Sequence, residues 1–249
     1  MTKILKIFLL LTLISACKSF HTNDEEQIFP AEELYSKGLK LIKDNKYKEA
    51  YEQFGKIYFQ HPGHKLTPDA EIMEAYSAYK AKLYDDAIDV LENFMLIHPA
   101  NKHLSYAYYL NGLCYYEQVL DSNHSSEYAE KAKQALTALI DRFPKTAYTK
   151  EAKQKIELID NHVAKKEVEI GKYYQTNQNI IGAINRYQVV IIHYGKTNVV
   201  SEALYRIAEC YDMIGLKSNS SHYKKILIEK YPASKWAIAL TKNKGIKWD

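Results

Sequence analysis

The sequence predicts an all-α fold, a solenoid of about five helix-turn-helix repeats. Small and apolar residues recur at helical spacing along the whole chain, a proline closes most of these clusters, and residues 147–175 hold no proline and a single glycine. At 249 residues, with 26 % charged and 47 % hydrophobic, the composition is that of a folded chain rather than a disordered one. A solenoid needs no further division into domains, because each repeat packs only on its neighbours.

The first repeat sets the pattern with Gly38, Leu41, Ala50, Phe54, Ile57 and Pro62. A small residue stands where two helices cross, apolar partners lie one turn away, and a proline follows the second helix. That is the tetratricopeptide signature, with a period of roughly 34 residues. The second copy has Ala87, Leu91, Phe94 and Pro99, and the third has Gly112, Tyr115, Ala132, Leu136, Leu139 and Pro144. The fourth has Gly171, Tyr174, Ala183, Tyr187 and Val190, with Gly195 in the proline slot. The fifth runs Ala208, Tyr211, Gly215, Leu227 and Pro232, with Ser220 in place of the alanine and Lys224 in place of an aromatic. Terminal repeats often depart in this way.

Helix one is expected near Ala31, just after Pro30, with Glu32 and Glu33 in the first turn where they complement the helix dipole. Pro62 and Pro68 bracket the turn into repeat two. The Pro99 to Pro144 interval exceeds a standard repeat, and the surplus falls at residues 121–128, a Ser-Asn-His stretch that reads as a loop between paired helices. The interval from Pro144 to Gly195 is longer by about half a repeat. Apolar Ile156, Ile159, Val163, Ile170 and Tyr174 make residues 147–175 one helix of roughly 43 Å, joining three repeats to two.

At the start of the chain Lys3 and Lys6 precede an apolar run at residues 7–14, too short to span a bilayer. Ile14, Ser15, Ala16 and Cys17 then resemble the bacterial lipobox, in which Cys17 is lipidated and becomes the first mature residue. Lys18 replaces the Asp that retains many lipoproteins in the inner membrane, which implies an outer-membrane anchor facing the periplasm. The expected organisation is a signal peptide (1–16), a lipidated N-terminus and polar tether (17–30), repeats one to three (31–144), a connecting helix with repeats four and five (145–235) and a C-terminal tail (236–249).

Other chemistry finds little footing. The net charge of +4 comes without a nucleic-acid module, so no nucleic-acid partner is expected. Gly195, Lys196 and Thr197 resemble the end of a phosphate-binding loop, but Val190 stands where that motif requires glycine. Nine histidines suggest a metal, yet no pair has helical zinc spacing, and His61, His64, His98 and His103 fall in inter-repeat turns. Cys114 and Cys210 occupy the same position in non-adjacent repeats, too far apart for a disulfide, and are expected to be buried thiols. With no nucleophile-base pair and no cofactor loop, the chain reads as a non-enzymatic binding scaffold without cofactor or metal.

The 22 tyrosines are the unusual number. In this repeat type the first helices line the concave face, which places Tyr35, Tyr76, Tyr79, Tyr106, Tyr109 and Tyr116 there beside Leu39, Ile42, Ile72, Lys80 and Leu113. Such an aromatic groove suits an extended peptide, although about half of these tyrosines are expected to be packing residues.

The lipobox, the acidic tether, the five repeats, the insertion in the third, the long helix, and local text at residues 31–38 and 164–174 together resemble the BamD family of outer-membrane protein assembly lipoproteins. The likeness covers almost the whole mature chain and departs at Gly195 and in the fifth repeat. It implies a scaffold of the β-barrel assembly (BAM) complex, docking through its C-terminal half on the POTRA domains of BamA and receiving unfolded outer-membrane β-barrel proteins at its N-terminal half. Arg206, Glu209 and Asp212, beside one face of the first helix of repeat five, then offer charges for the POTRA surface; the plain alternative is a solvated face. The other reading is a different periplasmic repeat lipoprotein, such as a pilotin or a cell-envelope coordinator.

Overall fold

How closely two helices approach is set by the residue at their crossing, and three glycines set it here. A Cβ added to Gly38 would lie 2.6 Å from the Phe54 ring, one on Gly112 2.5 Å from Leu136, and one on Gly171 2.5 Å from Tyr187. The computed structural model describes residues 28–121 and 125–242. Among them are eleven helices: α1 (Ala31–Lys43), α2 (Tyr47–Gln60), α3 (Thr67–Lys80), α4 (Tyr84–Ile97), α5 (Leu104–Asp121), α6 (Ser125–Arg142), α7 (Ala147–Thr176), α8 (Ile180–His193), α9 (Val200–Met213), α10 (Lys217–Lys230) and α11 (Lys235–Lys242). The segment 1–27, with Cys17 and the expected signal and tether, lies outside the described residues.

The helices pair as the repeat pattern requires, α1 with α2, α3 with α4, α5 with α6, α7 with α8 and α9 with α10. The second-helix triplets Ala50-Phe54-Ile57, Ala87-Leu91-Phe94, Ala132-Leu136-Leu139 and Ala183-Tyr187-Val190 are all fully buried. Each such aromatic or leucine side chain contributes about 1.5–3 kcal/mol through burial. In repeat five Ser220, Lys224 and Leu227 hold the same buried positions. Lys224 is tolerated because its Nζ donates to Asp212 at 2.6 Å.

Each intra-repeat turn of repeats one, two, four and five contains one residue in the left-handed region: Asn45, Lys82, Gln178 and Gly215, with φ of 58°, 63°, 60° and 78°. Between repeats a threonine hydroxyl recurs as a clasp, Thr67 donating to the His61 carbonyl at 2.7 Å and Thr149 to that of Phe143 at 2.5 Å. Thr197 donates likewise to Tyr194 at 2.7 Å, so the Gly-Lys-Thr stretch is an inter-repeat turn.

The 30-residue α7 follows its expected span. It also transfers the core from one group of repeats to the other. Ala152, Ile159 and Val163 belong to the cluster built by α3 to α6, whereas Ala164 and Val168 belong to the cluster of α8 and α9. The expected loop at residues 121–128 is largely helix instead: α5 runs to Asp121 and α6 starts at Ser125. The surplus residues lengthen both helices to 18 residues because Val119 and Ala129 bury against each other's layer. The expected tail likewise contains α11, which covers the last repeat with Trp236, Ala237 and Leu240 against α9 and α10.

Candidate peptide-binding groove

Two tyrosines three residues apart share one helix face. α3 presents Tyr76 and Tyr79 in this way, and α5 presents Tyr106 and Tyr109. The N-terminal half of α7 adds Tyr148, whose ring stacks on Tyr109 at 5.1 Å and an interplanar angle of 21° and meets Tyr106 at 5.6 Å. Tyr76, Tyr79, Tyr106 and Tyr148 pack against the same core cluster, so α3, α5 and α7 contribute to one aromatic wall. The two ends of the predicted set stand apart from it. Tyr35 packs within repeat one, edge-on to Phe54 at 5.4 Å, and Tyr116 is buried with Lys155 Nζ 4.0 Å over its ring.

The hydroxyls are anchored by carboxylates. Tyr109 donates to Glu151 Oε2 at 2.5 Å and Tyr79 to Glu117 Oε1 at 3.4 Å. Burial first, and these carboxylates second, push both phenols above their usual range, and burial does the same to Tyr106. All three therefore stay neutral and act as donors. Tyr109 is buried, while Tyr76, Tyr79 and Tyr106 are partly buried and keep some surface open to solvent. Tyr148, Glu117 and Glu151 were not singled out in the sequence, where residues 147–175 read as a connecting helix; the i, i+3 pair Tyr148 and Glu151 was the available signal.

In the C-terminal half the predicted charges all have internal partners. Arg206 Nη1 meets Glu209 at 3.0 Å and its Nε lies 3.8 Å from Glu202, while its guanidinium sits 5.1 Å over the Trp236 ring. Asp212 holds the buried Lys224. The trio thus ties α9 to α10 and α11, and Asp212 is the member that also stays exposed. A cleft of about 760 Å³ opens between α7 and the turn after α8, lined by Lys153, Ile156, Asp160, Ile192, Tyr194 and Lys196.

The two cysteines are buried free thiols, pushed up chiefly by burial to about 12 at Cys114 and about 11 at Cys210. The inter-repeat histidines serve the fold: His98 Nε2 lies 2.8 Å from Glu71, His103 3.1 Å from Asp69, and His61 Nε2 2.7 Å from the Phe29 carbonyl.

A family model described as outer membrane lipoprotein matches residues 28–227. A protein of Rickettsia prowazekii named outer membrane protein assembly factor BamD is 41 % identical over 247 residues, 98 % of each chain. The chain belongs to the BamD family. A Caulobacter vibrioides BamD is 32 % identical over 209 residues, covering 84 % of this chain and 68 % of that relative. The BamD family match also encloses the whole aromatic wall and α7. Among solved structures, a thermophilic tetratricopeptide protein of Thermus thermophilus is 16 % identical with a TM-score of 0.42, over 85 % of this chain and 100 % of that one.

Proposed function

We propose that this protein is a non-enzymatic assembly factor for outer-membrane β-barrel proteins, held to the inner leaflet of the outer membrane through a lipidated Cys17 and facing the periplasm. The observation that carries the reading is the 41 % identity to a BamD over 98 % of each chain. The groove gives it a mechanism. Unfolded barrel segments are extended and rich in aromatic side chains, and the partly exposed Tyr76, Tyr79 and Tyr106 present aromatic surface and neutral hydroxyls to such a chain. Repeats four and five, carried beyond α7, dock the POTRA domains of a BamA-like partner, with Asp212 and the outer edges of Glu209 and Arg206 as the charged contribution.

Co-purification from detergent-solubilised outer membranes tests the assignment. The full chain is expected to bring down a POTRA-containing barrel protein, and intact mass is expected to begin at an acylated Cys17. A fragment ending at Phe143 should still bind a barrel-strand peptide but lose the POTRA protein. If the fragment retains that partner as firmly as the full chain, the division of labour is wrong.

A further inference from the structure

The turns of repeats one and two carry an exposed lysine row, of which Lys80 alone was expected to border the groove. Lys37, Lys40, Lys43, Lys46 and Lys48 surround the α1–α2 turn, and Lys80 and Lys82 stand in the α3–α4 turn; all seven are exposed. The two turns are neighbours in space, since Lys80 Nζ lies 5.5 Å over the ring of Tyr47, the first residue of α2. None of the seven holds an ion pair with a described residue.

Helix energetics account for only part of this row. Lys40, Lys43 and Lys80 sit in the last turns of α1 and α3, where cations complement the dipole. Lys46 and Lys48 do the reverse: they occupy the N-cap and the first turn of α2, the positive end, with Glu49 as the acidic residue of that turn. Lys82 holds a left-handed backbone at φ 63°, a conformation that Gly or Asn adopts at lower cost. Charges retained against local preference in three places point to a partner outside the chain.

We propose that this edge lies on anionic phospholipid headgroups of the leaflet that carries the lipid anchor, and so orients the scaffold beneath the membrane. The lysines form a row along adjacent turn tips rather than a pocket, which suits a two-dimensional array of phosphates better than a single small anion. The reach is sufficient. Residues 18–30 span at most about 45 Å when extended, and α1, with 13 residues, is about 20 Å long, so the α1–α2 turn can meet the surface to which Cys17 is attached. The inference rests on the anchor reading for its geometry, and its test removes the anchor so that the two can fail separately.

The chain from Lys18 onward, which contains every described helix, is mixed at low salt with vesicles of phosphatidylglycerol and phosphatidylethanolamine, or of phosphatidylcholine alone. Sedimentation with the anionic vesicles only, reversed at high salt, is the expected result. Exchange of Lys43, Lys46, Lys48 and Lys82 for Gln should weaken that binding at least tenfold with helical content and melting temperature retained. Equal binding by the variant, equal binding to phosphatidylcholine, or no vesicle binding, as an acidic protein partner would give, each overturns the proposal. So does release of the vesicles by millimolar inorganic phosphate at constant ionic strength, which would mark a small-anion site.

Discussion

Individual residues in this protein are chosen by what they must fit between. Gly171 has the Tyr187 ring 2.5 Å from where its Cβ would stand, and Tyr187 is fully buried with its hydroxyl donating to Gln175 at 2.9 Å. Gly171→Ala should therefore cost about 1–3 kcal/mol in thermal unfolding, while Gly63→Ala, with nothing near its Cβ, should stay close to neutral. Glu74 supplies a pH dependence. Burial, and then the neighbouring Glu71, push its carboxyl up to about 8, far above the roughly 4.3 of an unfolded chain. Between those values the folded protein binds the extra proton, so this residue makes stability fall as pH rises from about 4.3 to about 8 and level off above. Urea midpoints at pH 5.5, 7 and 8.5 should show that slope in the parent and a flatter one in Glu74→Gln; identical slopes would remove Glu74 as the source. The repeat triplets and crossing glycines were legible because each recurs at fixed spacing. Lys82 and Gln178 were not, since among the four left-handed turn residues only Gly215 and, more weakly, Asn45 advertise that conformation by residue type.

At the scale of elements, legibility followed length and periodicity. The 30-residue α7 stands out in the sequence because nothing in it breaks a helix. By contrast, α5 and α6 absorb an insertion whose polar composition imitates a loop, and their extra turns form because Val119 and Ala129 find a layer to bury in, a tertiary effect. The eight-residue α11 has little helical signal of its own and is held by Trp236 against Tyr205, with ring centroids 4.9 Å apart, and by Arg206. α7 transfers the core between Val163 and Ala164, so this point should mechanically couple the two repeat groups. Val163→Pro removes a helical hydrogen bond there at a cost of about 3 kcal/mol or more. The single unfolding transition expected of the parent should then split into two in denaturant titrations; one unchanged transition would mean that α7 does not couple the groups.

For the molecule as a whole, the solenoid separates an aromatic wall from a charged C-terminal end by the length of one helix. The wall was only partly visible in the sequence. Consensus positions place Tyr76, Tyr79, Tyr106 and Tyr109 near one another, but the hydrogen bonds of Tyr79 and Tyr109 depend on carboxylates supplied by other helices, Glu117 from α5 and Glu151 from α7. The C-terminal charges were visible as residues but not as pairs, because Arg206 finds Trp236 and Asp212 finds Lys224 only once α10 and α11 are folded back on α9. The most direct test of the central claim is the affinity of an aromatic barrel-strand peptide for the paired variant Tyr76→Ala and Tyr106→Ala, measured beside its thermal unfolding. The account predicts at least a tenfold loss of affinity, about 1.4 kcal/mol or more, with a folded variant. Unchanged affinity per folded molecule, accompanied by a lowered melting temperature, would contradict it and return the tyrosines to the core.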